Sequence, residues 1–460
     1  MNHIRPTSRA SITVALVTLG CAKNLVDSET VLASLEKAGF ETTPNLESAE
    51  VIVVNTCAFI KEAVEEAKDT LRRVLALKTD GNCRAVICIG CLTQRYRETL
   101  ADEFPDIDGF LGVNNLQDVA EAVNLALAGK RPLLIEDHPA PLNLPAPRRL
   151  STPPWTAYLR IAEGCDCACS FCTIPLIRGP QRSQRPEFLI EEAESLAALG
   201  VKEIVLIAQD TTRYGLDLSP PATLADLLRG LEAVRGLRWI RVLYGHPSSV
   251  TPELIETMAN SKKICHYLDL PIQHVSRRLL RAMNRAGTSQ EFKALFATLR
   301  ERMPDVALRT TVLVGFPGET EKDFQQLLAF IEETRFDWLG AFAFSPEEGT
   351  PAHDLTRQVR EATKQRRLRR LLELQRQISR SNNEKWVGKT IEVVVEGQSD
   401  GRWTGRWRRA APEVDGQVLF PKGTTALHPG QFLLAQVIGA ADFDLEAIPL
   451  RPDRRRGSKL

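Results

Sequence analysis

Short apolar runs followed by charged amphipathic stretches set the rhythm of the first third of the chain. SITVALVTLGC, AEVIVVNTC and RAVICIGC are each long enough for one strand and apolar on both faces, as a strand buried in a parallel sheet must be. The stretch after the second, AFIKEAVEEAKDTLRRVLALK, repeats its apolar residues at helical spacing. This alternation predicts a small doubly wound α/β domain. Residues 138–154, HPAPLNLPAPRRLSTPP, carry neither period, and their prolines remove backbone donors and restrict the residues before them, so a linker is expected.

Beyond it six strand-like runs, AYLRIAEG, KEIVLIAQ, RWIRVLYG, CHYLDLPI, VALRTTVLVG and DWLGAFAF, alternate with helical stretches such as EFLIEEAESLAALG and EKDFQQLLAFIEET. That is the pattern of an incomplete, TIM-like (β/α)6 barrel. A long basic helix follows in TRQVREATKQRRLRRLLELQRQISRSNNEK, with Leu368, Leu371, Leu372 and Ile378 expected on a stripe that packs back on the barrel. From residue 386 the period becomes two, in IEVVVEG, GQVLF and QFLLAQVIGA, which predicts a small antiparallel β-barrel of the OB kind. The reading divides the chain into an α/β domain over 10–137, a linker over 138–154, a barrel over 155–384 and a β-barrel over 385–452.

Composition narrows the function. The 460 residues, 43% of them hydrophobic, suffice for about three domains with cores of their own. Lys plus Arg number 59 against 58 Asp plus Glu, so a general polyanion binder is excluded and any nucleic-acid surface must be local. MNHIRPTSRA has no apolar h-region and no run approaches eighteen apolar residues, so a cytoplasmic chain with no membrane partner is expected. In that reducing compartment the ten cysteines read as metal ligands or redox groups.

Their placement is specific. Cys21, Cys57 and Cys91 each close a predicted strand, and parallel strands bring such ends together at the carboxyl edge of a sheet, so three thiolates converge there. Cys83, Cys88 and Cys265 lack that placement and read as packing residues, and His266, which opens a strand, as structural. EGCDCACSFC, residues 163–172, follows the first barrel strand and so lies on the face where such barrels carry their sites. A structural zinc would want a fourth ligand from a second pair, and none follows. Cys165, Cys169 and Cys172 form C-x3-C-x2-C, which supplies three thiolates to a four-iron cluster and leaves one iron open, with Cys167 a bystander. Gln209, Asp210, Tyr244, His246, Gln273 and His274 lie at the ends of later strands, facing the same mouth.

That cysteine spacing, with Phe171 before its last member, resembles the radical S-adenosylmethionine (SAM) superfamily. LGCAKNLVDSE, VVNTCAFI, IGCLTQRY, EGCDCACSFCTIP, IAQDTTRYG, YLDLPIQH, LVGFPGET and FSPEEGTPA lie in the order seen in its methylthiotransferases, from about Leu19 to the last strand. LGCAKNLVDSE and NTCAFI are closer to the branch that modifies an aspartate of the twelfth small-subunit ribosomal protein than to the branch acting on adenosine in transfer RNA. Ala22, where proline is usual, and Cys167, where histidine is often found, depart from the pattern without touching an expected ligand.

The resemblance implies two [4Fe-4S] clusters, one on Cys165, Cys169 and Cys172 and an auxiliary one on Cys21, Cys57 and Cys91, and a C-terminal TRAM domain. It implies that SAM chelates the open iron of the first and is cleaved reductively to a deoxyadenosyl radical, while the second presents a methylthio group for the β-carbon of the aspartate. The turn GFPGET, with Gly315, Pro317 and Gly318, would line the SAM pocket with Gln209 and Gln273. A reductant such as flavodoxin or ferredoxin is implied, with the assembled ribosome a candidate partner. Transfer RNA methylthiolation and a non-catalytic iron–sulfur module that binds RNA are the alternatives. Against RNA, the β-barrel balances seven basic residues (Lys385, Lys389, Arg402, Arg406, Arg408, Arg409, Lys422) with eight acidic ones (Glu392, Glu396, Asp400, Glu413, Asp415, Asp442, Asp444, Glu446). Arg454, Arg455 and Arg456 add charge only beyond it. A basic ribosomal protein is therefore expected on its acidic groups.

Overall fold

The computed structural model describes residues 11–137 and 147–450, so the first nine linker residues and the three arginines of the tail lie outside the described residues. The first domain runs β1 (Thr13–Thr18), α1 (Ala22–Lys37), β2 (Glu41–Thr43), β3 (Val51–Thr56), α2 (Lys61–Asp80), β4 (Ala85–Gly90), α3 (Cys91–Glu103), β5 (Gly109–Leu111), α4 (Val119–Leu127) and β6 (Leu133–Leu134). Its six strands are parallel, in the order β2-β1-β3-β4-β5-β6. Alternate strand residues serve opposite faces. Val51, Val53, Ala85, Ile87 and Ile89 pack with α1 and α4, whereas Ile52, Val54, Val86 and Cys88 pack with α2 and α3. The predicted double winding is present, and β2, β5 and β6, too short to show a period, complete the sheet.

The central domain follows as β7 (Thr156–Arg160), β8 (Ala162–Glu163), α5 (Ile174–Arg178), β9 (Arg182–Ser183), α6 (Pro186–Ala198), β10 (Glu203–Ile207), α7 (Leu224–Ala233), β11 (Trp239–Val242), α8 (Pro252–Ala259), β12 (Ile264–Asp269), α9 (Arg277–Ala282), α10 (Ser289–Arg302), β13 (Ala307–Val314), α11 (Glu321–Thr334) and β14 (Trp338–Ala343). All six predicted strands form one parallel sheet, β14-β13-β12-β11-β10-β7, whose end strands do not pair with each other. The barrel is open, as expected.

The long helix, α12 (Glu361–Glu384), packs back on the barrel through a face that includes Leu368, Leu371 and Ile378 of the predicted stripe but not Leu372. Leu371 and Ile378 are buried, but Leu372 is 42% exposed, and the rest of the inward face is Lys364, Arg367, Gln375 and Asn382. These side chains satisfy loop carbonyls. Lys364 donates to Phe344 O at 2.7 Å, Gln375 to Phe336 O at 2.9 Å and Arg367 to Glu319 O at 3.4 Å.

The last domain is a closed five-stranded barrel of β15 (Thr390–Ser399), β16 (Arg402–Trp407), β17 (Val418–Leu419), β18 (Phe432–Ala440) and β19 (Leu445–Pro449), in the order β15-β16-β17-β19-β18. It is not wholly antiparallel, because β17 pairs with β19 in parallel. It sits against the open sheet, where Trp239, Tyr267 and Trp338 share one apolar cluster with Val393, Phe420 and Ala435. Buried ions key the two together. Glu203, at 0% exposure, takes Arg241 from its own sheet and Arg406 from the small barrel, and Asp415 takes Arg309 and the Tyr267 hydroxyl. Of the eight acidic groups expected to meet a basic ribosomal protein, Asp400, Glu413 and Asp444 carry no ion pair among the described residues, while the other five are engaged. Asp415 is internal, and Glu392, Glu396, Asp442 and Glu446 are paired with Arg238, Arg406, Arg376 and Arg402.

Candidate functional site

The three cysteines of the first domain stand where strands β1, β3 and β4 end side by side. Cys21 is the N-cap of α1, Cys57 follows β3, and Cys91 opens α3. Gly20 and Gly90, immediately before two of them, have φ near +96 and +95, which turns the chain sharply from strand into helix. Burial pushes the Cys57 thiol up and the Cys91 thiol to about 12, the latter against the pull of Arg178. Cys21 is lowered: burial opposes this, but Lys23, backbone N–H groups of the α1 N-terminus and Arg178 outweigh it. Cys83, Cys88 and Cys265 are buried among apolar neighbours, as expected of packing residues.

The second triad sits on a loop closed at its base by the β8–β9 pairing, Glu163 against Arg182. Gly164 carries φ near +80, and a Cβ there would lie 1.9 Å from Pro180 O, so the base of the loop admits only glycine. Cys172 N donates to Cys169 O at 3.1 Å, Ser170 is tied to Ala282 and Met283, and Asn284 holds Ala168 O, with Ala168 itself at φ near +46. Donors are aimed at the sulfurs. Cys167 N reaches Cys165 Sγ at 3.4 Å, Arg285 reaches Cys169 Sγ at 3.4 Å, and Arg178 reaches Cys91 Sγ at 3.3 Å. The Cys167 thiol hydrogen-bonds Cys165, which brings Cys165 down to about 7, and it turns towards Asp210 Oδ2 at 3.6 Å. All ten cysteines are free. Among the described residues no three His, Cys, Asp or Glu side chains are gathered as ligands of one metal ion would be. A four-iron cluster spreads its thiolates over the corners of a cube, so a cluster triad is not such a group.

The two triads face a common seam, and motif residues build it. Arg178, at the end of α5 and 3% exposed, donates to Asn24 Oδ1 and Asp27 Oδ2, both at 2.9 Å, as well as to Glu163 and the Cys91 sulfur. Of the motif LGCAKNLVDSE, Asp27 also meets Arg160, Ser28 accepts from Asn55, and Glu29 takes Arg148 and Ser151 from the end of the linker. The linker is therefore fastened on its far side. Thr173, beside Cys172, donates to Phe59 O at 2.9 Å, two residues past Cys57. Glu347 of FSPEEGTPA accepts from Lys61 N at 2.8 Å and from Arg95 at 3.0 Å, while Ala352 N binds Ser170 O in the cysteine loop. Asp27, Thr173 and Glu347 lie within the motifs but carry no role that spacing assigns, and Arg178 and Arg285 lie outside them with no periodic signal.

Around the mouth, Gln209 lies two residues past β10 with its Oε1 buried and without a partner among the described residues. Gln273, at φ near +62, bridges to β13 through Thr311 O and Leu313 N. Gly315 is overlaid by the stem of Lys364, Pro317 and Gly318 follow in the turn, and Thr320 caps α11 in a capping box with Asp323. Burial holds Glu319, which accepts from Gly315 N, up at about 7 despite Arg367. His246 is held down to about 3 by burial and then by Arg285 and Arg213, so it is neutral. His274 is fully buried, its Nδ1 taking the N–H groups of Val275 and Ser276 at 2.9 Å. His266 binds Asp305 at 2.6 Å and Met258 O, a structural role. Lys23 projects from α1 across the seam, its ammonium 3.4 Å from the centroid of the Tyr244 ring.

Profile comparisons match residues 13–112 to the uncharacterized protein family UPF0004, 159–331 to the radical SAM superfamily and 387–449 to the TRAM domain. A protein of Pelotomaculum thermopropionicum named ribosomal protein uS12 methylthiotransferase RimO is 48% identical over 437 residues, 94% of this chain and 98% of that protein. The chain belongs to the RimO family of radical SAM methylthiotransferases. Family members from Symbiobacterium thermophilum, at 45% identity over 94% of this chain and 90% of the relative, and Geobacter sulfurreducens, at 45% over 95% and 98%, agree. Among solved structures, the radical SAM methyltransferase TsrM of Kitasatospora setae with cobalamin and a [4Fe-4S] cluster bound superposes with a TM-score of 0.57 at 15% identity, over 86% of this chain and 77% of that one. At such identity the likeness concerns the fold alone. RimO membership and an open (β/α)6 sheet between two smaller domains were both expected from the motifs. No helix of the described residues is long and apolar enough to cross a membrane.

Proposed function

We propose that the protein replaces a hydrogen on the β-carbon of an aspartate in ribosomal protein uS12 with a methylthio group, using two [4Fe-4S] clusters and SAM. The observation that carries this reading is the seam: two cysteine triads at the carboxyl edges of two sheets, joined through Arg178, Thr173 and Glu347. Cys165, Cys169 and Cys172 hold one cluster, and Cys21, Cys57 and Cys91 the other. The donor set fits, because each triad offers soft thiolates with N–H groups aimed at sulfur, which suits an anionic cluster. When bound, the clusters and SAM supply radical chemistry able to exchange an unactivated C–H for C–SCH3, which no side-chain base could do.

The chain's own residues bind, orient and exclude water. Gly315, Pro317 and Gly318 offer backbone to SAM, the orphaned Gln209 Oε1 accepts from it, and Gln273 adds a polar wall. Lys23 has a cation–π partner in Tyr244 and no carboxylate among the described residues, in the first turn of a helix whose dipole disfavours a cation. It is the residue for the target's carboxylate. Burial, with help from Arg285 and Arg213, keeps His246 neutral, so that group competes neither as cation nor as acid near neutral pH. A reductant and the ribosome belong to this reading as partners, and a cytoplasmic setting as its location. Anaerobic incubation of reconstituted protein with SAM, dithionite, sulfide and either uS12 or transfer RNA tests it. Deoxyadenosine formed with methylthiolated uS12 is expected, and methylthioadenosine in transfer RNA with unmodified uS12 would refute it.

A further inference from the structure

We infer, on the two-cluster reading, that Arg178 raises the reduction potential of the auxiliary cluster and so makes it the acceptor of the electron released when the C–S bond forms. The cysteines of the first domain stand in a positive field. Cys21 caps α1 and Cys91 opens α3, so two helix N-termini point at the triad. Arg178 reaches across from the central domain and places its Nη2 3.3 Å from Cys91 Sγ. Its charge also acts on Cys21 and Cys57, and Lys23 adds to it at Cys21. The loop of Cys165, Cys169 and Cys172 differs. Arg285 approaches Cys169 Sγ there but is only half-buried, and the carboxylates of Asp210 and Asp166 act on Cys165 in the opposite sense.

Ion pairing alone would explain much of Arg178, which meets Asp27 and Glu163 and so fastens the first domain to the cysteine loop. It does not explain the sulfur. Arg160 meets the same two carboxylates from a more open position, so the domains are ion-paired without a guanidinium against Cys91. Asn24 Oδ1, 3.7 Å from that sulfur, is an acceptor and does nothing for a thiolate. Arg178 supplies the donor, with a side chain 2% exposed, where water screens its charge least. Reduction adds negative charge to a cluster, and a hydrogen bond and a fixed cation at a ligating sulfur favour the more negative form, so both raise the potential. The reaction has a use for this. A carbon radical and methanethiolate bring three electrons to a bond that holds two, so one electron must leave, and the auxiliary cluster is reduced by it. Arg178 touches Cys91 and not the reacting carbon, so it is a positioning residue that acts through its ligand.

Redox titration followed by electron paramagnetic resonance, on full-length chains reconstituted with iron and sulfide, measures the effect. With Cys165, Cys169 and Cys172 replaced by Ala, the auxiliary cluster is the one titrated. In that background Arg178→Gln should lower the midpoint, so that the oxidised-to-reduced ratio at a fixed potential rises about tenfold or more, or about 59 mV for one electron. Arg178→Lys, which keeps the charge and loses the fork, should fall between. The sign separates this from a loosened seam, because water let in around the cluster stabilises the more negative form and moves the midpoint up. With Cys21, Cys57 and Cys91 replaced by Ala instead, the remaining cluster should shift less. An unchanged or raised midpoint at about four iron per chain in the first background overturns the proposal, as do equal shifts in the two backgrounds. Should Arg178→Gln lose its cluster, Arg178→Gln with Glu163→Gln, which leaves Arg160 paired with Asp27, takes its place, and an unchanged midpoint there overturns the proposal. Wild-type protein holding about four iron and not eight would remove the auxiliary cluster and the proposal with it, and iron analysis tells that failure of the two-cluster reading from an unshifted midpoint.

Discussion

Cys167 and Cys169 stand two residues apart in one loop and do different work. Cys167 gives its backbone N–H to the Cys165 sulfur and its thiol to Asp210, whereas Cys169 is buried with Arg285 on its sulfur. Alanine keeps a backbone N–H, so Cys167→Ala should retain about eight iron per chain and Cys169→Ala about four, by colorimetric iron and electron paramagnetic resonance. Equal losses would mean that the loop is divided wrongly. Lys23→Met should raise KM for an aspartate peptide about tenfold or more, the worth of one charged hydrogen bond, with kcat changed little. Its effect should vanish on the peptide with asparagine at the target; an equal effect there would place Lys23 in service of the cluster instead. His274 has a pH signature. Burial holds it at about 4 in the folded chain, against about 6.5 unfolded. The unfolded state binds the proton first, so its contribution is complete above pH 6.5 and is lost as the pH falls through 4, at up to roughly 1.4 kcal/mol per unit. Chemical denaturation across that window should show the fall, and His274→Gln should flatten it.

At the scale of elements, apolar runs bounded by turns made β1, β3, β4 and the six barrel strands legible, most clearly β3, β4, β10 and β11, which are buried along their whole length. Period failed where the buried side chains are polar. The inward face of α12 mixes Leu368, Leu371 and Ile378 with Lys364, Arg367, Gln375 and Asn382, which meet carbonyls of the turns beneath and which the hydrophobic stripe does not announce. β16, in RWTGRW, shows no apolar alternation, yet Arg406 is buried because Glu203 receives it. In the candidate site the strand-end placement of the six cysteines was legible in the sequence, while the place of Arg178 was not, since its partners Asn24, Asp27, Glu163 and Cys91 are distant in sequence. The loop carrying Glu347 fastens the first domain, and Glu347 and Arg95 side chains are each 5% exposed. Glu347→Ala strands a buried guanidinium and should cost about 3 to 5 kcal/mol. Scanning calorimetry should show the first domain melting earlier, with Glu347→Gln milder.

Over the whole molecule, three domains become one working body through buried ions set within shared apolar packing. The TRAM barrel is keyed to the open sheet by Glu203, Arg241, Arg406, Asp415 and Arg309, and the first domain to the cysteine loop by Arg178 and Asp27. Charge counted along the sequence left the TRAM barrel balanced, and ion pairs to Arg238, Arg406, Arg376 and Arg402 engage half of its acidic groups. Both docking seams leave the carboxyl edges of the two parallel sheets directed at each other, as a reaction needing two cofactors at one carbon demands. The most direct test of that account is the intact mass of uS12 after anaerobic reaction with reconstituted enzyme, SAM, reductant and sulfide, followed by fragmentation to the modified residue. The account predicts a gain of about 46 Da on one aspartate, lost with Cys→Ala changes in either triad. An unchanged uS12 mass in a reaction that does form deoxyadenosine would contradict it.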